Sequence, residues 1–551
     1  MKSSSVVRLQ IAGMTCSHCV QAVKQALSTL EGVHIHYVQL HPPEAKVSFD
    51  PQRVKLESIV QAIKQAGYEV VDWEFVTSPA AMEETAKHLV IIGGGSAAFA
   101  AAIRANELGA RVTLINEGLP IGGTCVNVGC VPSKALIRAA EAHWHAAHHP
   151  FKGIRSWSTI EDFGAIIRQK QELVETLRKL KYEDILAGLE GVTYIKGWAS
   201  VVSPTEVEVN GDRISADYIL IATGSSPFIP PIEGIDRVPY LTNNELFEQE
   251  SLPESMLIVG GNYIGLEVAQ MYARFGSRVT VVERMLHILP LEMEELSSEV
   301  QQYLEAEGIS FETGFEATQV WQEEGVIYLK GLDKEGQEKV LQASHLVVAA
   351  GRRGNTERLN LESVGVEVDR RGFLKVNDYL QTSVPTIYGA GDVIGEPLFV
   401  YKAAYDGKLA VENALQASMR PRDYSAMPYV MFTEPQVAGV GLDERQAMEQ
   451  GIPYEATVLP VSEIPRAQAA HESRGFIKLI RHAETDRLIG TRIVAPEGGE
   501  IIMEAVLAIK YGVTTQEMTE LFHPYLTLAE GMKLAALTFR KDVHKLSCCA
   551  V

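Results

Sequence analysis

Hydrophobic and polar positions along roughly the first seventy residues predict a small domain of mixed strands and helices. An apolar run at residues 6–12 predicts a strand, and apolar residues at helical spacing from Val20 to Leu30 predict a helix. Two further strand-like runs, a second helix over about residues 56–65 and a last strand follow. The pattern therefore indicates a βαββαβ order within residues 1–72.

The periodic pattern stops after this domain. Residues 73–86 contain Ser78, Pro79 and a pair of glutamates, with no sustained apolar period. Such composition is typical of a flexible tether. We therefore expect a linker between the small domain and the rest of the chain.

Two later segments share the pattern of a strand, a glycine-rich turn, a helix and a second strand that leads to an acidic residue. We call them the first and second glycine turns. In such a turn one glycine allows a tight bend, the next lets a pyrophosphate approach the helix N-terminus, and the acid binds a ribose diol. The corresponding residues are Gly93, Gly95, Ala98 and Glu117 in the first turn, and Gly260, Asn262, Gly265 and Glu283 in the second. Two copies predict two dinucleotide sites.

The second turn departs from the usual pattern at its middle glycine. Asn262 stands there, and because asparagine tolerates the left-handed conformation but adds bulk, we expect altered pyrophosphate contacts. Glu283 favours NADH, since a carboxylate repels a 2′-phosphate, whereas the adjacent Arg284 favours NADPH. The residues leave this choice open.

Bulk composition narrows the classes of function. A chain of 551 residues is too long for one core. Its 46% hydrophobic and 22% charged residues are typical of a globular protein. The formal net charge of −20 argues against nucleic acid or an anionic membrane as the main partner. Without a secretory signal or a long apolar run, we expect no membrane insertion and a cytoplasmic location.

The six cysteines form three close pairs: Cys16 with Cys19, Cys125 with Cys130, and Cys548 with Cys549. In a reducing cytosol, paired cysteines are more often redox or metal sites than structural disulfides. The first pair lies on a predicted loop and the first turn of a helix, where the helix dipole stabilises thiolate. Two thiolates without a third ligand suit a soft ion such as Cu(I) or Hg(II).

Residues 13–19, Gly-Met-Thr-Cys-Ser-His-Cys, resemble the signature of the heavy-metal-associated domain family. The resemblance implies a ferredoxin-like metal-binding domain over residues 1–72 with Cys16 and Cys19 as metal ligands. A redox pair of thioredoxin type is the alternative.

Residues 122–134 resemble the active-site signature of the pyridine nucleotide-disulphide oxidoreductases, from Gly122 through Cys125 and Cys130 to Lys134. The resemblance implies an α/β fold with two Rossmann-like domains and an α+β dimerisation domain. The implied bounds are residues 87–237 and 353–423 for an FAD-binding domain, 238–352 for an NAD(P)H-binding domain, and 424–551 for the dimerisation domain with its Cys-Cys tail.

The same resemblance implies roles for individual side chains. Cys130 would lie against the flavin as the charge-transfer thiol, and Cys125 would exchange with substrate. Lys134 would lie near the flavin and pair with Glu267. A structural disulfide is the alternative, although cytosolic reductants would open it.

The implied nucleotide-binding residues fall into two sets. Those for FAD are Gly93, Gly95, Ala98, Glu117, Gly123, Thr124, Lys134, Thr223, Gly224 and Asp392. Those for the nicotinamide nucleotide are Gly260, Asn262, Tyr263, Gly265, Glu283 and Arg284. Tyr263 matches the gating tyrosine of glutathione reductase, which covers the flavin until the nicotinamide arrives, and simple packing is its alternative.

The carboxyl end departs from the disulphide-reducing members of this family. Those members carry a glutamate five residues after a histidine, and the dyad protonates the leaving thiol. Counting back five from Glu530 reaches Tyr525, while the histidine is His523. We therefore expect that thiol leaving-group chemistry is not the task, with proton donation by His523 as the alternative.

Taken together, these features resemble the mercuric reductase family. The resemblance implies a homodimer whose active sites are shared, with Tyr182 and Tyr525 assisting and with NADPH slightly favoured over NADH. Hg(II), carried as a dithiolate, would pass from Cys16 and Cys19 to Cys548 and Cys549 of the partner subunit. It would then reach Cys125 and Cys130 and be reduced to Hg(0).

Two other functions remain open at this point. One is a thiol-disulphide reductase of the glutathione or lipoamide dehydrogenase type fused to a metal-binding domain. The other is a metal chaperone or store with a vestigial flavin. Four histidines within residues 143–149 invite a metal site, but their helical spacing does not converge, so we expect a solvated helix end.

Overall fold

The structure is a computed structural model that describes residues 5–30, 32–40, 42–49, 53–76, 86–416 and 418–545. It divides into a small amino-terminal unit that reaches Lys87 and a large unit that contains nearly all the rest. Each unit has its own hydrophobic core.

The small unit has the predicted βαββαβ order. Its elements are β1 (Ser5–Ala12), α1 (Ser17–Ser28), β2 (Val33–Leu40), β3 (Pro43–Phe49), α2 (Leu56–Gln65) and β4 (Glu69–Val76). The strands form one antiparallel sheet in the order β2-β3-β1-β4. Apolar side chains on the inner faces of both helices pack on this sheet, among them Val23, Leu27, Ile59 and Ile63.

The last strand is longer than the pattern predicted. β4 pairs with β1 as far as Val76, so residues 73–76 belong to the sheet and not to the tether. Alternation along this run suits pairing with β1, and the end of the predicted domain had been set too early. Residues 77–85 lie outside the described residues.

The described residues of the large unit form twenty-three strands. They are β5 (His88–Ile92), β6 (Arg111–Asn116), β7 (Val192–Lys196), β8 (Ala199–Ser203), β9 (Glu206–Val209), β10 (Asp212–Ser215), β11 (Tyr218–Ile221), β12 (Ser225–Pro227), β13 (Tyr240–Leu241), β14 (Ser255–Val259), β15 (Arg278–Glu283), β16 (Ser310–Thr313), β17 (Glu316–Glu323), β18 (Val326–Leu332), β19 (Glu338–Ala343), β20 (His345–Val348), β21 (Arg352–Gly354), β22 (Ile387–Gly389), β23 (Tyr429–Met431), β24 (Gln436–Gly441), β25 (Tyr454–Pro460), β26 (Phe476–His482) and β27 (Leu488–Ala495).

Its α-helices are α3 (Ser96–Glu107), α4 (Gly123–Asn127), α5 (Cys130–Ala147), α6 (Phe163–Arg178), α7 (Asp184–Ala187), α8 (Asn243–Leu246), α9 (Tyr263–Phe275), α10 (Glu294–Ala306), α11 (Val400–Gln416), α12 (Glu444–Glu449), α13 (Pro465–Ala470), α14 (Gly498–Tyr511), α15 (Thr515–Glu520) and α16 (Glu530–Leu537). A turn of π-helix, Lys179–Glu183, connects α6 to α7.

Two five-stranded parallel sheets position the glycine turns. Their orders are β22-β11-β5-β6-β7 and β13-β20-β14-β15-β16. In each sheet a buried apolar strand, β5 or β14, runs into the turn, and a helix follows directly. Ligands of such sheets bind beyond the carboxyl ends of the strands, where both turns lie.

The carboxyl-terminal part is built on a five-stranded sheet of different character. Its order is β23-β24-β27-β26-β25, and all its pairs are antiparallel. One end of this sheet, at β23, contributes Tyr429 and Val430 to the cavity described below.

Candidate functional site

Both glycine turns need glycine for the same steric reason. Gly93 has φ +129°, and a Cβ there would lie 2.1 Å from the carbonyl oxygen of Ala222. Gly260 has φ +121°, and its Cβ would lie 2.3 Å from the carbonyl oxygen of Ala349. The turn backbone therefore passes directly against the neighbouring strand, which a side chain would prevent.

Asn262 serves as a helix cap in the second glycine turn. Its backbone is extended, with φ −111°, so no left-handed conformation has to be tolerated. Asn262 is the N-cap of α9, and its side-chain oxygen accepts a hydrogen bond from the Tyr263 N–H at 2.9 Å. The residue thus caps the helix that carries Tyr263.

A cavity of about 1230 Å³, here called the large cavity, brings both turns and the cysteine pair together. The predicted residues that line it are Gly95, Thr124, Cys125, Cys130, Lys134, Gly224, Gly260, Asn262, Tyr263, Glu267, Glu283, Arg284 and Asp392. The other predicted residues among those described in the large unit lie off its wall, namely Gly93, Ala98, Glu117, Gly123, Thr223, Gly265, Tyr182 and Tyr525. Glu117 lines a separate cavity of about 690 Å³.

The cavity wall at the first turn is built for close approach by a ligand. A Cβ on Gly123 would lie 2.7 Å from the Cα of Gly95, so the two glycines form a side-chain-free passage. Gly95 is also the N-cap of α3, where free backbone N–H groups favour an anion. The arrangement fits the pyrophosphate of a dinucleotide.

Asp392 belongs to a hydrogen-bond chain that includes an arginine the sequence did not reveal. Ser225 Oγ donates to Asp392 Oδ2 at 2.9 Å, and Arg352 Nε donates to Ser225 Oγ at 2.7 Å. Burial lowers the pKa of Arg352. No pattern in the neighbouring residues marks Arg352. Arg352 lines the large cavity and adds positive charge beside Asp392.

A fully buried ion pair supports the loop that carries Asp392. Lys402 Nζ lies 3.1 Å from Asp406 Oδ2 and donates to the carbonyl oxygens of Gly391 and Gly395, each at 3.1 Å. Burial lowers the pKa of Lys402 and raises that of Asp406, while each charge opposes the other's shift. The pair holds the backbone on both sides of Asp392.

The second cysteine pair spans two helices at the cavity wall. Cys125 lies in α4, and Cys130 is the first residue of α5, where the helix dipole favours thiolate. Both are free thiols. A hydrogen bond from Cys125, opposed by burial and aided by the charge of Lys134, lowers the pKa of Cys130 to about 7. The same hydrogen bond and burial raise the pKa of Cys125. Cys130 is therefore the more acidic thiol of the pair.

The expected ion pair between Lys134 and Glu267 is present. Lys134 Nζ and Glu267 Oε2 are 2.7 Å apart. The other carboxylate oxygen of Glu267 accepts a hydrogen bond from the Phe432 N–H at 2.9 Å, and Lys134 Nζ lies 4.5 Å from the centre of the Phe432 ring. Lys134 is thus fixed one helical turn beyond Cys130, between α9 and the segment after β23.

Tyr182 lies close to the same thiols. It is in the π-helical turn, its ring centre is 4.9 Å from that of Phe99, and a Cβ on Gly122 would lie 3.1 Å from its ring. Burial raises the pKa of Tyr182, and charge on Cys125 and Cys130 raises it further. The phenol therefore stays protonated and able to donate.

The carboxyl-terminal histidine has another partner. His523 Nε2 lies 3.0 Å from Glu504 Oε2 on α14, and this contact raises the pKa of His523. Glu530 is 7% exposed, at the start of α16. Tyr525 is 53% exposed on the loop between them. Within the described residues the structure therefore shows no His523–Glu530 dyad, as the spacing predicted.

The first cysteine pair lies at the start of α1. The sulfurs of Cys16 and Cys19 are 3.5 Å apart, and the Thr15 N–H donates to Cys19 Sγ at 3.4 Å. This bond and a second from the Tyr68 hydroxyl lower the pKa of Cys19 from 9.0 to about 6. Tyr68 lies before β4, far along the chain, and no local pattern marks it.

Other sequence features form no metal site. Within the part of the chain that the structure describes, no group of three or more His, Cys, Asp or Glu side chains is arranged to hold an ion. His145 pairs with Glu434 at 2.9 Å, and His148 stacks on Trp144. Cys548 and Cys549 lie outside the described residues. None of the described helices is long and apolar enough to cross a membrane.

Three models of known families match separate parts of the chain. Residues 87–407 match Pyridine nucleotide-disulphide oxidoreductase, and residues 427–536 match the dimerisation domain of that family. Residues 8–69 match Heavy-metal-associated domain.

Relatives with described activities extend over most of the chain. A mercuric reductase of Staphylococcus aureus is 40% identical over 98% of this chain and 99% of the relative. One from Streptomyces lividans is 44% identical over 85% of this chain and 99% of the relative. Among solved structures, the Cu(II) complex of the HOCl-induced flavoprotein disulfide reductase RclA from Escherichia coli has a TM-score of 0.74 at 28% identity. The match covers 83% of this chain and 100% of the RclA chain.

Proposed function

Since this chain belongs to the pyridine nucleotide-disulphide oxidoreductase family, we propose that it reduces thiol-bound Hg(II) to Hg(0) with electrons from NAD(P)H. Likeness to mercuric reductases over nearly the whole length supports the proposal. The observation that carries it is the position of Cys125 and Cys130, both free, on the wall of the large cavity.

The residues present fit FAD, which the family implies. Gly95 and Gly123 leave the passage for its pyrophosphate, and Asp392 with Arg352 would bind polar groups further along. Glu117 would take the ribose diol. Bound FAD supplies two-electron transfer between the nicotinamide and the metal site.

The cysteines hold the substrate. Cys125, the exchange thiol, gives its proton to one of the two thiolates that carry Hg(II) and forms a sulfur–mercury bond as that thiol leaves. The Cys130 thiolate then attacks the same ion, so a second sulfur–mercury bond forms and the bond to the second incoming thiolate breaks. Burial and charge on the two cysteines raise the pKa of Tyr182, and its protonated phenol would donate a hydrogen bond to a departing sulfur. Two electrons then release Hg(0) and leave both thiolates, so that NAD(P)H and Hg(II) yield NAD(P)⁺, H⁺ and Hg(0).

NADPH is the proposed reductant, with NADH also possible. The Glu283 carboxylate accepts from the Gly261 N–H at 2.7 Å and from the Met285 N–H at 2.8 Å, which occupies it within its own turn. Arg284 is exposed at the cavity wall, where it would meet a 2′-phosphate. We expect Arg284→Ala to lower kcat/KM for NADPH and not for NADH. Equal losses for both nucleotides would contradict this choice.

The remaining thiols would deliver the ion. Cys16 and Cys19 would pass Hg(II) to Cys548 and Cys549 of the partner subunit, and these to Cys125 and Cys130, in a homodimer with shared active sites and with Tyr525 assisting across the interface. The match to the dimerisation domain supports the dimer. A relay of free thiols suits a reducing cytoplasm.

The function is tested by NADPH oxidation and release of mercury vapour with Hg(II) in excess thiol. Wild type should turn over, and Cys130→Ser should not. Lys510→Met should match wild type, because Lys510 pairs with Asp423 and is not among the residues that line the large cavity. Binding of Hg(II) without consumption of NADPH or NADH would contradict the proposal and favour a metal store.

A thiol-disulphide reductase is the second candidate, favoured by the likeness to the Escherichia coli flavoprotein disulfide reductase. The pairing of His523 with Glu504 weighs against it. Oxidised glutathione and lipoamide, assayed beside Hg(II), separate the two, since rapid turnover with the disulphides alone would favour the reductase.

A further inference from the structure

Four aromatic rings form a ladder along one wall of the large cavity. They belong to Tyr429, Tyr263, Phe399 and Tyr401, and all four line the cavity. Successive ring centroids are 5.7, 6.5 and 5.4 Å apart, and successive planes are inclined by 15°, 27° and 6°. Such values are typical of stacked aromatic pairs. Tyr263 therefore has two ring neighbours that favour its present position.

Tyr429 is firmly anchored from behind. Its hydroxyl donates a hydrogen bond to one oxygen of the Glu292 carboxylate. The other oxygen accepts from Arg492 Nε at 3.0 Å, and both charged residues are buried. Burial holds the pKa of Tyr429 well above its usual range, so the phenol remains a donor.

The backbone also makes room for this ring. Gly439 on β24 pairs directly with Tyr429 on β23. A Cβ at Gly439 would lie 2.4 Å from the hydroxyl oxygen of Tyr429, so the phenol lies across the glycine. Any larger residue at position 439 would push the ring out of its place.

We propose that Tyr429 is a positioning residue that holds Tyr263 closed over the flavin site, so that the nicotinamide has to break this stack to enter. The inference rests on the proposed function, since it takes NAD(P)H as the reductant and Tyr263 as the gate. Because only open molecules accept the nicotinamide, the apparent dissociation constant equals the intrinsic one divided by the open fraction. Removal of the Tyr429 ring raises that fraction and tightens nucleotide binding.

The test uses the FAD-loaded full chain. The dissociation constants of NADP⁺ and NAD⁺ are measured by calorimetry, and access to the flavin without nucleotide is measured by iodide quenching of its fluorescence. For Tyr429→Ala we expect nucleotide dissociation constants about 2- to 10-fold lower, from the strength of one stacked pair, and stronger quenching. Gly439→Ala should act in the same direction, and Tyr429→Phe, which keeps the ring, should stay near wild type.

A Tyr263→Ala background separates gating from a general structural effect. There Tyr429→Ala should change neither measurement, because the ring it holds is gone. Unchanged or weaker binding in the single variant, or an equal change in both backgrounds, would overturn the inference. Neither measurement involves mercury, so these results leave Hg(II) reduction untouched. A wild type that binds neither nucleotide would overturn both the function and the inference.

Discussion

The two described cysteine pairs both lie at helix N-termini, yet they reach the thiolate state by different means. Hydrogen bonds alone lower the pKa of Cys19 to about 6, chiefly from the Thr15 N–H and the Tyr68 hydroxyl. Cys130, with a pKa of about 7, depends on its partner Cys125 and on an ammonium group. The first pair lies at the start of α1 in the small unit, and the second on the wall of a cavity.

The difference suits two tasks. A thiolate supported by neutral donors binds a soft cation without a competing positive charge nearby, and exchange with other thiols stays easy. At the second pair, the hydrogen bond between the two sulfurs and the charge of Lys134 lower the pKa of Cys130, whereas the same hydrogen bond and burial raise the pKa of Cys125. Capture of the metal ion and its reduction therefore need different surroundings for a pair of cysteine sulfurs.

Replacing the charged thiol of the second pair should have the largest effect. We expect Cys130→Ser to lower kcat with Hg(II) by at least about 1000-fold, as removal of an essential nucleophile does. Cys16→Ser, measured in parallel with excess thiol, should retain most of the turnover. If both variants lose activity equally, the division of tasks is wrong.

The next largest effect should be a different response of the two cysteine pairs to a fall in pH. Both pKa values are lowered from 9.0, so the stability that the thiolates contribute is complete above about pH 9 and is lost as pH falls through about 7 for Cys130 and about 6 for Cys19. At pH 6, alkylation by iodoacetamide should be about 10-fold below its plateau at Cys130 and about 2-fold below at Cys19. Mass spectrometry of each peptide checks this, and coincident profiles would contradict the comparison.

Removing the ammonium group should affect only the second pair. In Lys134→Met we expect the pKa of Cys130 to rise by about one unit, because a cation that favours the thiolate is lost. The alkylation profile against pH measures the shift. Lys510→Met breaks an ion pair of 2.6 Å elsewhere and serves as the control. A shift at Cys19 in Lys134→Met would show an indirect effect.

The smallest change should come from one hydroxyl group in the small unit. Tyr68→Phe removes a hydrogen bond to Cys19, so its pKa should rise by about half a unit. Tyr37→Phe, which loses a bond of 2.7 Å to Glu44, is the matched control. If alkylation of Cys19 at pH 6 is the same in all three proteins, Tyr68 does not support the thiolate.

Motifs of neighbouring residues were predictable from the sequence. The βαββαβ order, the bounds of α2, and the meeting of Lys134 with Glu267 all follow from spacing along helices and strands or from a resemblance in consecutive residues. Such features depend on a few adjacent residues, so they can be read without the fold.

Residues that approach from distant elements were not predictable. Arg352, Tyr68 and Tyr429 come into place only through sheet pairing and loop packing, which no local pattern records. Asn262 shows a different limit of sequence-based prediction. Its place in the glycine turn follows from the sequence, but its role as a helix cap depends on backbone torsion angles that only the structure provides.

Because the turn Lys179–Glu183 is π-helical, the direction of the Tyr182 side chain depends on the number of residues in this turn. Each residue of a helix advances the direction of the next by about 100°. Deleting Leu180 would convert the turn into regular helix and rotate the Tyr182 phenol away from Phe99. Deleting one residue of this turn should therefore abolish the contribution of Tyr182 as fully as substituting Tyr182 itself. When variants are compared, deletions in this turn matter as much as substitutions.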